Sequence, residues 1–424
     1  MTITRVRDID RVDNNITIHK MSRPACVSDF IRIMYDGMSR GYTSFNVTLE
    51  NPGIAVYPNT CVPIAGLLEY YQQSGITFNI DIPKNEYLHT CAMMEPLYLS
   101  ADEIASLETP FDRVYKYNSS AQVAAFTQKC VDAISQQVVC EEGIFDSLVW
   151  CINEVMDNVL VHSESSFGYV MAQLHTNSKH IAICISDTGI GIYNSLKGST
   201  HHPRSSIDAL TLAIQEGVGD GQGQGNGLFG LSQIIKSNHG RLSLTSGPAC
   251  LNISEDANAN KLDRLPYVNK EHHGTIVDFQ LDLNNKVDIY EAFSSIGGFD
   301  GFDIRIDDML QDDDSLLYSV YEHCRGTATR EAGRLLRNDI LNTINRAKTR
   351  IVLDFTGITT VSSSFIDEMI AKLMLDLGLI RFNQVVSIQG MNDTIRFLCE
   401  RSSYMRIYEE WKNNIAMKKE SGIL

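Results

Sequence analysis

Apolar positions along the chain recur in two periods, every second residue in some stretches and every third or fourth in others. The most regular helical stretch is INEVMDNVLVHS (Ile152–Ser163), in which Ile152, Val155 and Val159 fall on one face with the flanking Leu148. A second helix is predicted just before it, from about Ala121 to Val139. FGYVMAQLH and HIAICISD then read as strands, joined by the turn-like Thr176-Asn-Ser-Lys179, so an antiparallel hairpin is expected. SSIDALTLAIQEG reads as a short helix. Leu228, Leu231, Ile234 and Ile235 mark another, and TIVDFQLDL is a strand opening at Thr275.

The flanks repeat the alternation. TSFNVTLEN (43–51), CVPIAGLLEYYQQSG and ITFNIDIP (76–83) make a strand–helix–strand unit. Near the other end, GTATREAGRLLRNDILNTINRA is helical, TRIVLDFTGI is a buried strand and TTVSSSFIDEMIAKLMLDLG is a loop running into an amphipathic helix. VVSIQG and NDTIRFLCER add a strand and a helix. The class is therefore α/β, in four parts: a small α/β unit at 1–110, a central domain at 111–285, a connector at 286–300 and a second α/β domain at 301–424.

Three stretches of the central domain carry candidate chemistry. Glu154 and Asn158 are one helical turn apart, so a carboxylate that can take a proton lies beside an amide oxygen that can hold a hard cation. Asp187-Thr-Gly-Ile-Gly-Ile192 sets a carboxylate at a strand end, beside Gly189 and Gly191, where a flat ligand can approach the backbone. Gly221-Gln-Gly-Gln-Gly-Asn-Gly-Leu-Phe-Gly-Leu231 leads glycines into a helix N-terminus, whose amides and dipole favour an anion such as phosphate. His201-His202 and His272-His273 lack the spacing of metal ligands and read as loop histidines.

The chain has 424 residues and a formal net charge of −16, which argues against non-specific binding to nucleic acid or to anionic membranes. Its ten cysteines show no CxxC spacing and several lie in apolar patterns, as reduced thiols of a cytoplasmic protein do. No run approaches the roughly 20 apolar residues of a membrane span, and the N-terminus has no apolar leader segment.

In order and separation, NEVMDN, DTGIGI, GQGNGLFGL and His273-Gly274-Thr275 resemble the N box, the two glycine boxes and the last short motif of the GHKL ATP-binding domains of gyrase, the heat-shock chaperone, histidine kinases and the mismatch-repair protein. The likeness spans about 120–285, and EVMDNVLVHS is most similar to the N box of anti-sigma serine kinases. No Walker-type GxxxxGK[ST] occurs. The resemblance implies a Bergerat-type α/β sandwich with a mixed sheet and a nucleotide lid at about 193–227. It implies ATP and Mg²⁺ as ligands, with Asp187 accepting from the adenine amino group and Thr275 supporting that edge through a water. Gly189 and Gly191 would leave room for the base, Asn158 would hold Mg²⁺, and the amides of Gly225, Asn226, Gly227 and Leu228 would cradle the phosphates. Glu154 would activate a water or a substrate hydroxyl, and His162 would cap or pack nearby.

IVLDFTGITTVSSSFIDEMI is similar to the signature of STAS domains of the anti-sigma-antagonist type, and the 43–83 unit echoes one half of such a domain. Ser362, Ser363 and Ser364 occupy the loop that carries the family's phosphoacceptor, but Phe365 stands where the family has glycine and Ser362 where it has an acid. The same serines also suit a helix N-cap.

Three functions follow: an ATPase whose lid controls a STAS-like domain or a partner, a serine kinase acting on a STAS-like domain in cis or in trans, and a non-catalytic ATP-dependent interaction module. A histidine kinase is disfavoured, because the α/β pattern before residue 110 supplies no helical hairpin with an acceptor histidine. Partners are then ATP and a protein or the chain's own STAS-like domain, with homodimerisation a family trait and neither membrane nor nucleic acid expected.

Overall fold

The computed structural model describes residues 8–50, 56–81, 91–98, 100–219, 225–256, 258–292, 304–324 and 326–420. They fall into two compact units, one of Met1–Ala133 with Gly143–Phe299, the other of Ile134–Glu142 with Asp300–Leu424.

The first unit contains two sheets. One has the order β1 (Ile9–Val12), β2 (Asn15–Ile18), β3 (Ser44–Leu49), β4 (Thr77–Asp81). β1 and β2 pair antiparallel, whereas β2, β3 and β4 are parallel. Parallel neighbours need a crossover, supplied by α1 (Ala25–Ser39) and α2 (Pro58–Gln73). The 43–83 pattern corresponds to β3–α2–β4, while β1 and β2, at four residues each, are too short for a period of two to stand out. α2 is buried on nearly every side because it also packs on the second sheet, where the missing side chain of Gly66 leaves room for the Tyr169 ring. Tyr169, Met171 and Cys184 of that sheet belong to the same apolar cluster as Phe30, Phe45 and Leu68. The boundary at residue 110 therefore separates two sheets but not two cores.

The second sheet has seven strands: β5 (Tyr115–Tyr117), β6 (Gly168–His175), β7 (His180–Asp187), β8 (Arg241–Ser246), β9 (Ala249–Ile253), β10 (Ala259–Leu262) and β11 (Thr275–Asp282), in the order β10-β9-β8-β11-β7-β6-β5. The expected α/β class holds. Within it, this sheet is antiparallel in every pair rather than mixed, since short turns join β6 to β7 and β8 to β9. Mixed pairing occurs in the smaller sheet. Ile185, Val277, Leu244 and Leu251 form one rung, all buried on the face opposite α2, toward the helices Ile144–His162 and Gly227–Asn238. The next rung, Cys184, Asp278, Ser243 and Asn252, faces the other way. Besides α1 and α2, the longer helices of this unit are α3 (Ser120–Gln137), whose last turn belongs to the other unit, α4 (Ile144–His162), α5 (Ser206–Ala213) and α6 (Gly227–Asn238).

In the second unit, β12 (Leu316–Ser319), β13 (Ile351–Asp354) and β14 (Val386–Gln389) form a parallel sheet, with α7 (Arg330–Ala347) as the first crossover. The second crossover is helical from Ser363 to Leu377, with a π turn at Asp367–Ala371, and α8 (Asp393–Glu420) follows β14. α7 captures the segment at 134–142. Buried Asn342 donates to the carbonyls of Ser135 and Val138, both at 2.8 Å, and accepts from the Cys140 N–H at 2.9 Å. Asn338 donates to the Gln136 and Gln137 carbonyls, so this face of α7 caps a helix end.

None of the ten cysteines is in a disulfide, and eight of them are buried. Among the described residues, no helix is long and apolar enough to cross a membrane, and no group of three or more His, Cys, Asp and Glu could hold a metal ion.

Candidate functional site

α4 sets Glu154 and Asn158 toward a cavity of about 350 Å³ because its other face is committed to the core through Leu148, Cys151 and Ile152. The cavity is also lined by Asp187 and Ile185 of β7, Thr275 and Val277 of β11, and Gly225, Asn226, Gly227 and Leu228 at the start of α6. Gly191 and His162 join this lining, so stretches up to about 120 residues apart in the chain meet around one hollow.

Gly189 is the exception. A Cβ there would lie 1.9 Å from the Ser163 carbonyl oxygen, and the Ile190 N–H donates to that same oxygen at 2.8 Å. This glycine lets the loop after β7 seat on the end of α4. Gly191, at φ +74°, has a similar role: a side chain would meet His273 and Ser246, each at 2.6 Å. Gly227 bears directly on the cavity. A Cβ at this position would stand 2.7 Å from Glu154 Oε2 and 3.2 Å from the Asn158 amide nitrogen, so α6 starts against those two side chains only because residue 227 has none.

Asp187 is buried, and burial pushes its carboxyl up to about 7 against the hydrogen bonds from Gly189 and Thr275. The Gly189 N–H donates to Oδ1 at 2.8 Å. Thr275 bonds this carboxylate through side chain and backbone. Burial also raises Glu154, with the neighbouring Asp157 adding to the effect, so its carboxyl is a stronger base than an exposed one.

Asn226 uses its side-chain oxygen to accept from the Gly217 N–H at 2.9 Å. Gly225, at φ +70°, sits so close to Val218 that a Cβ would be 2.6 Å from that residue's carbonyl carbon. The two ends of the glycine-rich segment are thereby tied together, and its middle, residues 220–224, lies outside the described residues. Ser246 was not evident from the sequence. Its hydroxyl accepts from the Ile192 N–H at 3.0 Å and donates to the Gly274 carbonyl at 2.8 Å, and a serine at a strand end carries no periodic signal.

Of the three serines, Ser362 is the N-cap of a helical turn. Its Oγ accepts from the Phe365 N–H at 3.0 Å and lies 3.0 Å from Ser364 Oγ. Ser363 is exposed and Ser364 half-buried. None of the three lines the cavity.

No curated protein matches the chain. Residues 332–396 match a family model described as a STAS-like domain of unknown function (DUF4325), so the C-terminal unit carries a STAS-like domain over α7, β13, the helical crossover, β14 and the start of α8.

Proposed function

We propose that the chain binds Mg-ATP in the cavity between α4, β7, β11 and α6 and hydrolyses it, and that ordering of the lid regulates the STAS-like domain or a partner protein. The observation that carries this reading is Gly227, whose bare Cα brings the start of α6 against Glu154 and Asn158. The N-terminal amides of a helix, a base and a cation-binding oxygen thus share one wall, which suits a triphosphate.

Among the described residues that line the cavity there is no lysine or arginine, while Glu154 and Asp187 bring carboxylates. A polyphosphate would need its charge met by helix amides and by a metal ion. The side-chain oxygen of Asn158 is a suitable hard donor, so the residues present fit Mg²⁺. Bound there, the ion would neutralise phosphate charge. The chain's own groups do the rest: Asp187 accepts from an exocyclic amino group, the α6 amides hold phosphate oxygens and Glu154 takes the proton of the attacking water.

A second reading, a serine kinase of the anti-sigma type, is favoured by the exposed Ser363 at the first turn of a helix within the STAS-like domain. Incubation with γ-labelled ATP separates the readings. Free labelled phosphate supports hydrolysis, label retained on serine supports the kinase, and binding without either leaves an ATP-dependent interaction module.

A further inference from the structure

The outer face of the seven-stranded sheet has two halves. Under α2 it is apolar, where Tyr169, Met171 and Cys184 join the α2 core. Beyond α2 it turns polar: Ser243 and Asn252 continue the rung of Asp278, and Ser186 and Thr245 flank Ile276 on the next. This polar half is the floor of a second cavity, about 860 Å³, walled on one side by the first turns of α1 and α2 and on the other by the loop between β10 and β11. Its size is in the range of small-molecule sites.

Two buried polar atoms of the lining have no hydrogen-bond partner. Asn59 spends its amide N–H on Asp278 Oδ2 at 3.2 Å, and its own Oδ1 is buried without a hydrogen-bond partner. His273 Nδ1 is buried and unpartnered as well. The rim arginines are already matched, Arg23 to Asp8 at 2.6 Å and Arg32 to Asp29 at 3.3 Å. Counting all described lining residues, four aspartates face two arginines. Burial raises the Asp278 carboxyl to about 6, in keeping with a charge that lacks a counter-ion, although the side chain keeps some accessible surface. Val27, Ile31, Leu67 and Leu265 give the walls apolar surface.

We propose that this cavity binds an organic cation, an ammonium or amidinium group on an apolar body, with the cationic head between Asp278 and Asn59 Oδ1. Such a head brings the positive charge that Asp278 lacks and a donor for Asn59 Oδ1, and its body covers the apolar walls. Asp187 and Thr275 line this cavity and the first one alike, so an occupant here would lie against the same two strand ends from the other side. The proposal does not rest on the nucleotide reading and is tested without nucleotide.

Three probes of one shape separate charge from shape: tyramine, neutral 4-propylphenol and anionic 3-(4-hydroxyphenyl)propionate. In calorimetric titrations of the full chain, tyramine should bind at least about 10-fold more tightly than the neutral probe, and the anion should not bind. Asp278→Asn should remove the preference for tyramine and leave the neutral probe unchanged. Ser243→Leu fills the floor beside Asp278 without removing its carboxylate, and should abolish binding of tyramine and of the neutral probe while the cooperative thermal transition persists. Equal affinity for cation and neutral probe, tyramine binding that survives both substitutions, or no tyramine binding at millimolar concentration would each overturn the proposal.

Discussion

Asp187 is buried, with its carboxyl raised to about 7, well above the ordinary aspartate value of 3.8. The folded state therefore holds the proton more tightly than the unfolded chain does. The contribution of this group to stability is greatest below pH 3.8, falls as pH rises toward about 7 and is constant above that. Asp187→Asn should flatten this dependence and raise the melting temperature at pH 8 relative to wild type, as thermal unfolding at pH 5 and pH 8 would show. The same substitution should weaken ATP binding by about 1–3 kcal/mol, because an amide can present a donor where an acceptor is needed. Since the ionised carboxylate is the form that accepts from adenine, wild-type affinity should rise with pH through about 7 and then level off, and the variant should lose that rise. Glu154→Ala should leave ATP affinity largely intact and lower turnover by about 10²-fold or more, and a wild-type hydrolysis rate would refute its role as base. At this scale the sequence was legible for side chains whose chemistry is exposed in their identity and spacing, Glu154, Asn158 and Asp187. The packing of Gly189 on the Ser163 carbonyl was not legible, because a glycine that admits a ligand and one that admits a neighbouring carbonyl look alike in a sequence.

The elements that build the cavity were legible where periodicity was long. α4 runs 19 residues and β7 and β11 eight each, enough for a period to register. β8, β9 and β10, at six, five and four residues, gave no such signal, nor did the antiparallel order that brings β11 between β7 and β8. That order places Thr275 opposite Asp187, a pairing that only the fold reveals. Two predictions belong to elements. Gly227→Ala inserts a methyl 2.7 Å from Glu154 Oε2 and must push α6 away from α4. ATP affinity should fall by about 10-fold or more while far-ultraviolet circular dichroism is unchanged, and unchanged affinity would show that the contact is dispensable. The second concerns the proposed lid, in which the ends of the glycine-rich segment are pinned by the Asn226–Gly217 bond and by the approach of Gly225 to Val218. A glycine-rich segment costs much backbone entropy to order, so contacts with the γ-phosphate should decide its state. In hydrogen exchange, a non-hydrolysable ATP analogue should protect residues 205–219 and 225–230 far more than ADP does. Equal protection would mean that the lid does not read the γ-phosphate.

Across the whole molecule, the compact units do not follow the linear order of the chain. Residues 134–142 belong with the C-terminal unit, where Asn342 holds them by three hydrogen bonds. Nothing in the apolar pattern of 121–139 announces this, because the contact is made by polar side chains of α7 with the backbone of a helix end. Asn342→Ala strips these partners and should destabilise the C-terminal unit by about 1–3 kcal/mol or more, read as a lower thermal or urea midpoint. A fragment starting at residue 300 should show a similar loss. The STAS-like domain, by contrast, was legible from a single strand–loop–helix stretch, since that stretch contains the β13 core and the serine-capped turn together. The central claim is that the cavity under α6 holds Mg-ATP through Asp187, Asn158 and the glycine-led helix start. Calorimetric titration of the full chain with ATP and with GTP, each with and without Mg²⁺, tests it most directly. Saturable ATP binding that needs Mg²⁺, exceeds GTP binding and is weakened by Asp187→Asn is the predicted result. Absence of ATP binding, or equal binding of ATP and GTP that is indifferent to Asp187→Asn, would contradict it.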